Sequence, residues 1–155
     1  MGIKAVVLKQ YQEKVNQALK QFGGIVRPNS EGWLKTARKA LGMSGSQVAK
    51  RLGVTKGRVS QAESAELSGS ATLKSMESMA QAMNCRFVYA VIPEKEIENV
   101  IRDRAVLKAN EQIAVASTQM ALEAQSLNDE QLAFEVDRLA SEIIKKMPSD
   151  LWNDE

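Results

Sequence analysis

Apolar positions recur at helical spacing over most of the chain. In residues 5–22, Leu8, Tyr11, Val15, Ala18, Leu19 and Phe22 step by three and four, the pattern of an amphipathic helix. Gly23 and Gly24 end it, and a strand over residues 3–8 is the alternative for its start. After Pro28, Ser30 can cap a helix over 31–41 with Trp33, Leu34, Ala37 and Leu41 buried, stopped by Gly42. Ser44 with Gln47 three residues on has capping-box spacing, and Val48, Ala49 and Leu52 then share a face. Gly53 can take positive φ and turn the chain. Thr55 is the next N-cap, for a helix over 56–63 with Val59 and Ala62 inside. Residues 64–71 are polar and read as a loop. Thr72 then caps a helix that buries Leu73, Met76, Met79, Ala80 and Met83, with Asn84 ending it.

The pattern changes at residues 85–92, CRFVYAVI, which favour the β conformation. Cys85, Phe87, Tyr89 and Val91 share one face; Val88, Ala90 and Ile92 share the other. A lone strand leaves backbone donors and acceptors unpaired. The economical partner is the same strand of a second copy, antiparallel across a two-fold axis, with Phe87, Val88, Tyr89 and Val91 as dimerisation residues. Pairing within the chain, with residues 3–8, is the alternative. From Pro93 the chain is helical again. Residues 94–126 carry a thin seam of Val106, Ala109, Ile113, Ala116 and Met120. Asn128 and Gln131 make a second capping box, opening a helix with Leu132, Val136, Leu139, Ile143 and Met147 inside and Pro148 at its end. These two helices read as a long hairpin whose modest seam leaves room for a partner. The tail SDLWNDE reads as acidic and mobile.

Residues 44–63 carry the chemistry. Two short helices meet at a glycine turn, and the second turns Lys56, Gly57, Arg58, Ser60 and Gln61 outward. A helix with such a face suits the DNA major groove, whose edges offer donors and acceptors to these side chains. A solvated αα-hairpin is the plain alternative. The stretch resembles the Cro/repressor-type (XRE) helix-turn-helix, through Gln47, Ala49, Gly53-Val54, Thr55 and the run Val59-Ser60-Gln61-Ala62-Glu63. The resemblance implies that Lys56, Ser60 and Gln61 face bases. It implies that Gln47 touches phosphate and Arg58 lies near it, with Thr55 beside them on the DNA backbone. Gly57 departs from the pattern, since many relatives carry a base-reading side chain there. On the preceding helix, Arg38 and Lys39 are candidate phosphate contacts.

Charge sharpens this picture. Residues 27–60 hold eight Lys/Arg against Glu31 alone, net +7, while residues 110–155 hold three against ten acids, net −7. One part attracts polyanions and the other repels them. The chain has no histidine and a single cysteine, Cys85, which excludes His-dependent dyads and ordinary zinc sites. No paired-carboxylate constellation stands out, so the reading is of a non-enzyme without cofactor or metal. No apolar run approaches the roughly 20 residues of a membrane span, and no signal peptide is visible. Cytoplasm is the expected compartment.

The wider layout is similar to the bacterial family called mobile mystery protein A. The matching features are Arg27-Pro28, Gly32-Trp33, the XRE motif, Thr72-Leu73-Lys74 and the strand CRFVYAVIP. The likeness covers residues 20–110 and is strongest over 27–93. It implies an antitoxin-like partner of a Fic-domain protein that represses its own operon. The Fic-inhibitory pattern itself is matched poorly, by Ser126 to Glu130 followed by Gln131, which a capped helix start explains better.

The expected fold is mainly α: a Cro/repressor-like helix-turn-helix domain with one C-terminal dimerising β-strand and flanking long helices. Residues 1–26 form an N-terminal helical arm, 27–92 the domain and strand, and 93–155 a helical partner-binding region with an acidic tail. The expected function is a dimeric, operator-specific repressor. Its rival is a protein-binding inhibitor of a Fic toxin with little or no DNA binding.

Overall fold

Helices account for all the regular structure in the computed structural model, which describes residues 2–25, 30–122 and 127–154. In chain order they are α1 (Ile3–Phe22), α2 (Gly32–Ala40), α3 (Gly45–Leu52), α4 (Lys56–Ser68), α5 (Leu73–Ala82), α6 (Ile97–Leu122) and α7 (Asp129–Lys146). They sort into two compact units: Gly24–Ala90, holding α2 to α5, and Met1–Gly23 with Val91–Glu155, holding α1, α6 and α7. The N-terminal helix, expected within a 1–26 arm, shares a unit with the C-terminal helices. Arg27, Pro28 and Ser126 lie outside the described residues.

The α2–α5 unit closes on Leu34, Val48, Ala49, Val59, Met76, Met79 and Met83. The methionine stripe of α5 is thus packing, as its spacing implies. Both halves of the Ser44–Gln47 capping box form: Gln47 N donates to Ser44 Oγ at 3.1 Å, and Ser44 N donates to Gln47 Oε1 at 2.8 Å. Gly53 turns the chain at φ 71°, in the left-handed region. Thr55 Oγ1 accepts from Arg58 N at 3.2 Å, and Thr72 Oγ1 from Ser75 N at 3.0 Å.

Three expectations need correcting here. Helix α4 does not stop at residue 63. Ala65, Glu66 and Leu67 are good helix formers and carry it to Ser68, where Gly69 ends it at φ 80°. Ser30 does not cap α2. The Glu66 carboxylate does so from α4, accepting from Trp33 N at 2.6 Å and Leu34 N at 2.9 Å. Gly32 makes that approach possible: at φ 84° a Cβ there would sit 3.0 Å from the carboxylate. Trp33, Leu41 and Leu73, expected in the core, are exposed.

The dimerising strand is also absent: among the described residues there is no strand, and residues 85–92 have no regular structure. A strand exists only by virtue of a ladder partner, and among the described residues none is offered. The alternative partner, residues 3–8, is helical. Phe87 is half-buried against the core, while Val88, Tyr89 and Val91 are exposed. The Phe87 and Tyr89 rings stack at 5.8 Å between centroids.

The second unit packs α6 against α7 through Ile101, Ala105, Ala109, Ala140 and Ile143. Alanines at facing positions let the two backbones approach closely. The seam matches the expected one in part: Ala109 is fully buried and Val106 packs beside it, but Ala105 joins them and Ala116 is exposed. The capping box at Asn128 and Gln131 forms, with Gln131 N donating to Asn128 Oδ1 at 2.8 Å. Helix α1 joins through Asn16, whose Oδ1 accepts from Ile97 N at 2.9 Å. Its Nδ2 donates to Glu98 Oε2 at 2.8 Å, which holds the Glu98 carboxyl below its ordinary range.

The tail is anchored rather than mobile. Leu151 is 1% exposed and completes the α6–α7 core. Arg104 Nε and Nη2 donate to the carbonyls of Leu151 and Asn153, both at 2.6 Å. The Arg104 guanidinium also lies 5.8 Å from the Trp152 ring. No described helix is long and apolar enough to cross a membrane.

Candidate nucleic-acid interface

The candidate interface is the face of α4 turned away from Val59. Val59 is 2% exposed and Ala62 half-buried, which fixes the rotation of the helix on the core. Residues 56, 57, 58, 60, 61 and 64 are then all exposed. Lys56, Ser60 and Gln61 are thus all accessible, outside the buried stripe of Val59 and Ala62. Arg58 and Gln61 line a cleft between α4 and α5 that also holds Thr72, Lys74 and Ser75. Lys74 was not anticipated at this surface. Nothing local marks it; its place follows from how α5 starts beside α4.

The start of α3 adjoins the start of α4. The Lys56 side chain passes Gly45, with its Cγ 3.8 Å from where a Cβ there would lie. Gln47 is exposed, and its Oε1 is used in the capping box. Its amide nitrogen has no partner among the described residues and is free to donate. Thr55 is exposed, but its hydroxyl already accepts from the Arg58 backbone.

The two cations expected from α2 are engaged elsewhere. Arg38 makes a two-pronged ion pair with Glu63: Nε to Oε1 at 2.6 Å and Nη2 to Oε2 at 3.2 Å. Its Nη1 donates to the Met43 carbonyl at 3.2 Å. The side chains of Arg38 and Glu63 keep only 16% and 12% of their exposure, and Glu63 raises the Arg38 pKa further. Arg38 is thus an internal tie between α2, α4 and the turn before α3. Lys39 is exposed and pairs with Glu31 at 2.7 Å, an interaction that holds the Glu31 carboxyl below its usual range. That pair lies at the surface, where such contacts are weak and exchangeable.

Residues 34–89 match the family model described as Helix-turn-helix. This segment is a helix-turn-helix domain. The match begins inside α2 and ends among the exposed residues after α5, so it spans the whole packed core of the first unit. A domain of this XRE type is the DNA-binding module of a transcriptional regulator. No curated protein and no solved structure matches the chain.

Proposed function

We propose that the protein is a sequence-specific DNA-binding repressor in which α4 enters the major groove. The observation that carries this is the exposed face of α4. Lys56, Ser60 and Gln61 are exposed there, and Arg58 and Lys74 line a cleft with Gln61. Ser60 and Gln61 would read base edges along with Lys56. Arg58, Lys74 and Gln47 would hold phosphates, with Thr55 keeping the first turn of α4 in shape. Arg38 leaves this set because its guanidinium is occupied.

Two variants separate the roles. Gln61→Ala should relax base choice at one operator position, at a cost of about 1–3 kcal/mol. Arg58→Ala should weaken binding to every sequence and reduce the slope of log affinity against log salt by about one. Fluorescence anisotropy over a salt series reads both. A change of preferred sequence in Arg58→Ala would overturn the assignment.

Operator recognition by two half-sites calls for a dimer. Residues 86–92 support one, because Val88, Tyr89 and Val91 are exposed and no described residue pairs with this segment. An antiparallel ribbon between two copies would satisfy the backbone and cover these side chains. Val88→Pro should then give a monomer by analytical ultracentrifugation. A dimer of unchanged affinity would place the contact elsewhere.

The likeness to mobile mystery protein A supports a further role as antitoxin-like partner of a Fic-domain protein, with the operon under its own control. The α6–α7 hairpin, with Val115 and Phe134 exposed, would be the contact surface. Co-purification with a co-expressed Fic-domain neighbour tests this. A complex that survives removal of α6 and α7 would sink it.

A further inference from the structure

We propose that Gly57 sets how deeply α4 enters the groove, and thereby whether the short Ser60 side chain reaches a base edge. The inference rests on the DNA-binding reading above. Gly57 lies in the first turn of α4, three and four residues before Ser60 and Gln61, so its missing side chain belongs to the same outward face. The fold does not ask for glycine there. Gly32, Gly42, Gly53 and Gly69 have positive φ, and Gly57 does not. A Cβ on Gly57 would meet only Thr55 Oγ1, at an ordinary 3.8 Å. Alanine would fit and would favour the helix, since glycine is the poorer former.

What Gly57 does change is the thickness of the face. Continuing along it, Ser60, Ser64 and Ser68 are all small and exposed, and Gln61 is the one long side chain among them. A serine hydroxyl extends little beyond its Cβ, and a base contact must close to about 3 Å. The helix axis must therefore lie close to the groove floor for Ser60 to read. A Cβ at residue 57 points into the space between that turn and the DNA, and would hold the first turn back. Lys56 does not fill this space, because its side chain runs along the start of α3 past Gly45. Gly57 is in this sense a positioning residue, acting through Ser60 and Gln61.

The test uses the full chain and Gly57→Ala. Wild-type protein is first used to enrich duplexes from a randomised library, and affinities are then measured for the enriched duplex and a random one. Gly57→Ala should melt about 2–6 °C higher in the helix-turn-helix transition. It should bind the enriched duplex at least tenfold more weakly, while random-duplex affinity changes less than about threefold. Ser60→Ala in the Gly57→Ala background should then cost nothing more. Unchanged affinity for the enriched duplex overturns the proposal, as does equal loss on both duplexes. A lower melting temperature would show that the fold does need the glycine, and would equally overturn it. If wild-type enriches no duplex, the DNA-binding reading itself fails, which is seen before any variant is made.

Discussion

Glu63→Ala should lower the unfolding free energy of the helix-turn-helix domain by about 2–3 kcal/mol. The carboxylate holds the Arg38 guanidinium through two bonds, at 2.6 and 3.2 Å, in a site where both side chains are largely withdrawn from water. Deleting it leaves a cation that can neither titrate away nor turn to solvent without giving up its bond to the Met43 carbonyl. The residual exposure of the pair keeps the figure below that of a fully buried one. Replacing both partners with apolar residues of similar size, Arg38→Met with Glu63→Leu, should recover most of the loss. Urea unfolding measures this. Trp33 lies in this domain and Trp152 in the other unit, so single-tryptophan versions separate the two transitions. A loss under about 1 kcal/mol in Glu63→Ala would mean the pair contributes no more than a surface one.

Leu151→Ala should cost the other unit about 3 kcal/mol, inside the range for truncating a buried leucine. Leu151 sits with Ile101, Ala105, Ala109, Ala140 and Ile143, and three of those neighbours are alanines. A seam of such short side chains has little means to collapse into the space left behind. The main-chain bonds from Arg104 would remain available, so the loss reports packing rather than hydrogen bonding. Loosening should also show in trypsin digestion, as faster cleavage after Lys146. Unchanged stability and unchanged digestion would mean that the tail rests on the unit without completing it.

Local signals were readable at most helix ends, the Ser30 cap of α2 being an exception. The capping boxes at Ser44 and Asn128, the caps at Thr55 and Thr72 and the turn at Gly53 form as their spacing implies. The outward face of α4 followed from the buried spacing of Val59 and Ala62. What was not readable depends on residues far apart in the chain. Glu66 caps α2 across more than thirty positions, and Glu63 engages Arg38 across 25. No periodicity announces either. The apolar alternation of residues 85–92 marked a segment wanting a partner, but a single chain cannot supply that partner from its own helical content. The tail was misjudged because one leucine among acids reads as solvent-exposed, until Arg104 is seen gathering the carbonyls around it.

The division of the chain has a consequence for synthesis. Residues 24–90 form one uninterrupted unit, whereas the other joins Met1–Gly23 to Val91–Glu155. On a ribosome the helix-turn-helix domain can close as soon as its own residues emerge. Helix α1, made before that domain, must wait on the order of several seconds for α6, against which Asn16 bonds. During that interval Ile3, Val7 and Tyr11, exposed even in the finished unit, stand beside Leu8, Val15 and Phe22, which are half-buried there but still uncovered. A helix translated before the helix-turn-helix domain thus docks after it, and until then it leaves an apolar face uncovered.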